Sequence, residues 1–189
     1  MKTKHIAIAL IACTTILSCK NDKKIDVVEE VVEVVEVMKE KKLTMKLEAK
    51  SDSKATGSVV FKQVDGKVSM TAVLSGLSEG THAIHIHDKA DCSSVDGKST
   101  GGHWNPTAQP HGAWGDATGY HKGDIGNFEA DANGNGVRTF STDEWCIGCG
   151  DKTKDITGKA IIVHQGTDDL KSQPSGAAGA RISCGGIIM

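Results

Sequence analysis

The stretch GSVVFKQVDGKVSMTAVL, Gly57–Leu74, decides how the chain is read. It holds two candidate strands, Gly57–Val64 and Lys67–Leu74, joined at Asp65-Gly66. An Asp-Gly pair between two apolar runs is a strong hairpin signal, because it accommodates the positive φ angles that tight hairpin turns require. Upstream, Leu43, Met45, Leu47 and Ala49 alternate with Thr44, Lys46, Glu48 and Lys50, the period-two pattern of a half-buried strand. Downstream, Thr81–His87, Asp124–Ala130, Val137–Ser141, Lys159–His164 and Ala180–Cys184 also read as strands, and Asn133-Gly134-Asn135-Gly136 turns between two of them. Eight short strands with no long helical pattern in the domain predict an all-β sandwich or barrel.

Three connections are too long for simple turns: Asp88–Gly123, Thr142–Gly158 and Gln165–Gly179. Long segments without regular structure in a compact domain are usually functional or disordered. The first is rich in Gly, Asp, Ser and His, and a metal or a disulfide is the expected organiser.

The chain holds eight histidines. In THAIHIH, residues 81–87, strand alternation puts His85 and His87 on one face and His82 on the other with Ile84 and Ile86. Two imidazoles two residues apart can converge on one metal, although His-x-His pairs are also common on surfaces. His82, on the opposite side, points away from any metal that His85 and His87 would share. His103, His111, His121 and Asp124 follow in the long loop, and three imidazoles with one carboxylate suit a tetrahedral Zn²⁺. His164 ends the apolar run Ala160–Val163. Six histidines and an aspartate exceed what one metal needs, and imidazole also suits copper, so two sites are expected.

The N-terminus is of a different kind. Lys2 and Lys4 precede a mostly apolar run, Ile6–Leu17, too short for a permanent membrane span. Its end, Leu17-Ser18-Cys19, resembles a bacterial lipobox, which makes residues 1–18 a lipoprotein signal peptide and Cys19 the lipidated mature N-terminus. Residues 19–42 read as a Val/Glu-rich tether and residues 43–189 as the folded domain. The expected location is the cell envelope, periplasmic or at the outer membrane, held to a membrane by the lipid. An oxidising compartment follows from export. The formal net charge of −2 gives no electrostatic basis for binding nucleic acid or an anionic membrane surface. Cys92, Cys146, Cys149 and Cys184 remain in the domain, enough for two disulfides. Cys146-Ile147-Gly148-Cys149 reads as a local disulfide, with a redox or copper-handling site as the alternative.

Taken together, GTHAIHIH (80–87), DCSS (91–94), GGHWNP (101–106), HG (111–112), HKGDIGN (121–127), GKAIIVHQGTDD (158–169) and GARISCGGI (179–187) resemble the copper/zinc superoxide dismutase family in order and spacing. The resemblance implies an eight-stranded Greek-key β-sandwich or barrel with long metal-binding and electrostatic loops. It implies copper on His85, His87, His103 and His164, and zinc on His103, His111, His121 and Asp124, with His103 bridging the two. Asp168 matches the carboxylate that orients one ligand of each metal, His85 and His111. Arg181 matches the active-site arginine, and Cys92 and Cys184 the family disulfide. The implied reaction is dismutation of the superoxide anion to O₂ and H₂O₂, with His103 and Arg181 in catalytic roles. Monomer and homodimer both stay open. Several positions depart from the family pattern. Ala83 and Ile84 replace a common Gly-Phe pair, and Pro174 stands where many members carry a steering lysine, leaving Lys122 and Lys171 as candidate substitutes. Trp104, Trp114 and Trp145 read as loop packing. The alternative function is a non-catalytic copper/zinc-binding or copper-delivery protein of the same fold.

Overall fold

The computed structural model describes residues 40–189. The signal segment, Cys19 and nearly all of the tether lie outside the described residues. Eight antiparallel strands form a closed barrel: β1 (Lys41–Ala49), β2 (Thr56–Val64), β3 (Lys67–Ser75), β4 (Gly80–His87), β5 (Gly126–Ala130), β6 (Gly136–Thr142), β7 (Ala160–His164) and β8 (Arg181–Gly186). Their order around the barrel is β1-β2-β3-β6-β5-β4-β7-β8, so the connection from β3 to β4 passes over β5 and β6 in Greek-key fashion.

The barrel is flattened. Two seams are short: β5 meets β6 at Ala130↔Gly136 alone, and β1 meets β8 at Glu48↔Cys184 and Ala49↔Ser183. Between the seams lie two sheets, β1-β2-β3-β6 and β5-β4-β7-β8. In β3, Val68, Met70, Ala72 and Leu74 point inward while Lys67, Ser69, Thr71, Val73 and Ser75 face solvent. They pack with Val59, Phe61, Leu43, Met45 and Leu47 from the first sheet and Ile84, Ile86, Ile161, Val163 and Phe128 from the second. Burial of such side chains stabilises by about 1.5–3 kcal/mol each, which makes this layer the main source of cohesion.

Four sequence expectations shift. β1 begins at Lys41, two residues before the expected domain start, because Lys41 and Lys42 still pair with Gln63 and Lys62 through their backbones. Ala49 is exposed even though its backbone pairs with Ser183 of β8. β5 starts at Gly126 and not at Asp124: Asp124 N–H donates to the His121 carbonyl at 3.1 Å, and Gly126 has φ +93°, which breaks the strand. Trp104 and Trp145 do more than pack a loop. Both are buried within the main core, with Trp114 half-buried against it.

The first and third long connections lie against β4 of the second sheet, whereas the one between β6 and β7 is tied through Ile147 to Gln63 of β2 and Lys41 of β1. Cys92, in the first of them, is disulfide-bonded to Cys184 of β8, and Cys146 to Cys149 between β6 and β7. Among the described residues no helix is long and apolar enough to cross a membrane.

Candidate metal centre

Strand β4 supplies His85 and His87 on its outward face, while Ile84 and Ile86 enter the barrel core. The long loop is laid onto this strand by its backbone. Trp104 N–H donates to the Ile86 carbonyl at 2.8 Å, Gly123 N–H to the Trp104 carbonyl at 3.0 Å, and Ile86 N–H to the Gly123 carbonyl at 2.9 Å. The approach demands a glycine at 123, where a Cβ would strike the Ile86 carbonyl. His103 is thereby brought opposite His87 in an isolated β-bridge. His164 arrives at the end of β7, where the pairing with β8 slips between Val163 and His164.

Two ligand sets result. His85, His87, His103 and His164 form one, and His103, His111, His121 and Asp124 the other; within each, one ligand atom per residue lies within 4.8 Å of all the rest. All seven residues are buried, and His103 belongs to both sets. The ring centroids of His85 and His103 are 4.0 Å apart, and those of His103 and His121 5.6 Å.

The outer nitrogens are tied down. His85 Nε2 and His111 Nε2 lie 2.8 and 2.9 Å from the two oxygens of Asp168. His87 Nδ1 faces the Gly101 carbonyl at 3.0 Å and His164 Nδ1 the Gly179 carbonyl at 3.4 Å. What points inward is left without a hydrogen-bond partner: His85 Nδ1, His103 Nε2, His111 Nδ1 and His121 Nδ1. His111 Nδ1 is 3.0 Å and His121 Nδ1 3.3 Å from Asp124, close in distance but outside hydrogen-bond geometry. Buried polar atoms are rarely orphaned. Four such atoms in one place, on rings of which His85 and His111 are held from the far side by Asp168 and His103 by Asp124, fit metal ions with oriented ligands. Imidazole accepts both copper and zinc, and the carboxylate set suits zinc.

Electrostatics agree. Burial, reinforced by the neighbouring imidazoles, holds His87 and His164 well below the usual histidine range. Burial pulls His103 down to about 4 despite its bond to Asp124. These rings are therefore neutral at pH 7, with lone pairs free. His111 is the exception. Burial opposes its charge, but the two carboxylates beside the ring, Asp124 and Asp168, outweigh it and raise the ring to about 9. In the metal-free protein His111 is thus protonated at pH 7, and the stability it contributes is complete below about 6.5 and lost as pH rises through about 9. A metal taking Nδ1 must displace that proton. We expect zinc binding to release about one proton from His111 near pH 7 and almost none above pH 10, read by calorimetry in buffers of different ionisation enthalpy. Release that does not change between the two would contradict this assignment.

Some contributors carry no obvious signal in the sequence. Asn127 clamps the backbone of Asp168: its amide donates to the Asp168 carbonyl at 2.8 Å, and its oxygen accepts the Asp168 N–H at 2.8 Å. Gln173 does the same for His111, at 2.8 and 2.9 Å. Gly176 has φ +67°, and a Cβ there would strike the Asp168 carboxylate. A glycine and two amides are recognisable only once the fold brings them beside the aspartate and histidine.

His82 lies away from both sets. Its Nδ1 donates to the His164 carbonyl at 2.9 Å, and Ser78 holds the other side of the ring. Arg181 stands at the edge of the four-histidine set, its Nη1 donating to the Gly97 carbonyl at 3.0 Å and Thr100 Oγ1 at 3.1 Å. Lys122 is not a free steering charge: its ammonium pairs with Glu144 and lies 5.7 Å from the Tyr120 ring centroid. Lys171 is exposed.

An all-β barrel carrying two adjoining ligand sets that share one imidazole defines a narrow class of protein. The profile of the family described as copper/zinc superoxide dismutase (SODC) matches residues 55–187. The chain belongs to the copper/zinc superoxide dismutase family. It is 35% identical over 159 residues to an extracellular Cu-Zn superoxide dismutase of Caenorhabditis elegans, covering 80% of this chain and 70% of that one. It is 38% identical over 141 residues to a Cu-Zn superoxide dismutase of Caulobacter vibrioides, covering 72% and 80%. It is also 33% identical over 144 residues to the superoxide dismutase-like protein YojM of Bacillus subtilis, covering 72% and 71%. A crystal structure of a double mutant of a SOD-like protein from Bacillus subtilis superposes with a TM-score of 0.68 at 31% identity, over 77% of this chain and 97% of that one.

Proposed function

We propose that this protein dismutes superoxide to O₂ and H₂O₂ in the cell envelope, with copper on His85, His87, His103 and His164 and zinc on His103, His111, His121 and Asp124. The observation that carries this reading is the shared His103, whose Nε2 points unpartnered into the four-histidine set while Nδ1 turns to Asp124 at 2.8 Å. Copper, when bound, supplies the one-electron couple that dismutation needs, which zinc lacks. The chain's own residues do the rest. His103 Nε2 is the atom placed to hold and pass a proton. Arg181 presents a permanent positive charge beside His87 and His164, suited to hold a small anion. Its anchors on Gly97 and Thr100 fix the direction of the guanidinium.

Export with a lipid on Cys19 and a tether leading to a folded domain that opens with β1 at Lys41 complete the proposal. Two disulfides support export, and one relative is named extracellular. A homodimer is compatible with this reading. A second reading, metal binding without dismutation, draws on the relative named only superoxide dismutase-like. The complete four-histidine set and Arg181 weigh against it.

The test is superoxide dismutation by the copper- and zinc-loaded protein beside His85→Ala and Arg181→Ala variants. We expect activity in the parent, loss to background in His85→Ala, and a roughly tenfold reduction with a flatter ionic-strength dependence in Arg181→Ala, since steering of an anion is screened by salt. A loaded parent that binds both metals without activity would favour the second reading.

A further inference from the structure

The second disulfide lies in a Cys-Ile-Gly-Cys turn that neither ligand set uses. Its backbone is held independently of the sulfur bond. Cys146 N–H donates to the Lys154 carbonyl at 2.8 Å, and the Cys146 carbonyl accepts from Ile156 N–H at 3.1 Å. The Asp155 carboxylate accepts from Gly148 N–H at 3.0 Å and Gly150 N–H at 2.8 Å, gripping the chain on both sides of Cys149. Ile147, between the cysteines, is buried; its N–H donates to Gln63 Oε1 at 2.8 Å, and its carbonyl accepts from Lys41 Nζ at 2.7 Å. The two sulfurs therefore stay neighbours whether their bond is open or closed.

The sulfur bond itself has little structural work to do. A cross-link restrains the unfolded chain more as the loop it closes lengthens. Cys146 and Cys149 are three residues apart, against 92 for Cys92 and Cys184. Access differs in the same sense. Cys149 is exposed and Cys146 buried, whereas Cys184 is buried and Cys92 only half-exposed. A disulfide that adds little to folding and offers one sulfur to solvent is the exchangeable kind.

We propose that Cys146–Cys149 is a reversible thiol–disulfide exchange site, entered at Cys149 by a dithiol reductant. A thiolate of the dithiol attacks Cys149 Sγ, the Cys146–Cys149 bond breaks, and Cys146 leaves as a thiolate that takes a proton. The second thiolate of the dithiol then attacks its own sulfur in the mixed disulfide and releases Cys149, which is protonated in turn. Two electrons and two protons pass to the cysteine pair, and the reductant departs as a disulfide. Reoxidation runs the same steps backward.

The experiment equilibrates the metal-loaded protein with graded mixtures of reduced and oxidised dithiothreitol, then maps alkylated cysteines by mass spectrometry. Cys146 and Cys149 are expected to open at a reduced-to-oxidised ratio at least tenfold lower than Cys92 and Cys184, with metal content and melting temperature retained. Opening of both pairs together, or metal loss on opening Cys146–Cys149 alone, would overturn the proposal. Trp145, beside Cys146, makes the metal readout sensitive, because its Nε1 donates to the carbonyl of Lys122, next to His121. Two variants test the point of entry. Cys149 in Cys146→Ser is expected to form a mixed disulfide with oxidised glutathione at least tenfold faster than Cys146 in Cys149→Ser. Equal rates would overturn the assignment of Cys149 as the entry sulfur.

Discussion

Replacing Asp168 with alanine is expected to weaken both metals at once, by about tenfold to a hundredfold at each site. One carboxylate serves His85 in the four-histidine set and His111 in the other, through separate oxygens. Its removal leaves two buried ring N–H groups without acceptors and frees both rings to turn. It also takes away one of the two carboxylates that raise His111. The loop itself should stay in place, because Asn127 holds Asp168 through backbone atoms that alanine retains. The measurement is metal retention against a competing chelator, with copper and zinc followed separately. Parallel loss of both supports the shared role, while loss of one alone would show that its two ligands are oriented independently. Asp168→Asn should fall between, since an amide has one acceptor oxygen and cannot receive both ring protons.

The largest effect on stability is expected from the double substitution Cys92→Ser, Cys184→Ser. The disulfide closes a loop of 92 residues, for which lost chain entropy corresponds to about 4–5 kcal/mol. That is a large share of the ~5–15 kcal/mol by which domains are usually stable. For a domain of this size it predicts a fall in melting temperature of roughly 10–18 °C. Activity should drop as well. Cys92 ties down the loop that carries Gly97 and Thr100, and these are the groups that aim Arg181. Thermal unfolding and dismutase assays on the metal-loaded variant check both effects. A shift below about 2 °C would mean that the loop is fixed chiefly by its own hydrogen bonds.

The strands were legible because alternation and turn chemistry are local. The Asp65-Gly66 hairpin, with its nine residue pairs between β2 and β3, is written in adjacent residues. Strand partners across the barrel are not local. Nothing within β6 announces that it lies beside β3, nor within β1 that it meets β8. Boundaries slipped where backbone pairing and side-chain pattern diverge, as at Lys41, or where a metal-type ligand draws the chain out of line, as at Asp124. The histidines stood out because few other roles gather so many imidazoles in one order. Asn127, Gln173 and Gly176 did not, since an amide or a glycine acquires its meaning only from what the fold sets beside it. Lys122 misled for the same reason: its Glu144 partner is 22 positions away in sequence.

Closure of the barrel has a consequence for how the protein meets other molecules. An open sheet ends in a row of unpaired amides and carbonyls, onto which a foreign strand can add, the usual start of aggregation. Here every strand has a neighbour on each side. Val73 and Val137 are exposed and face one another across β3 and β6, a small apolar surface on two paired strands, with Val137 next to the brief β5–β6 seam. The vulnerable places are the two brief seams, and one of them is made by β8 at Cys184, so the long-range disulfide guards against self-association as well as unfolding.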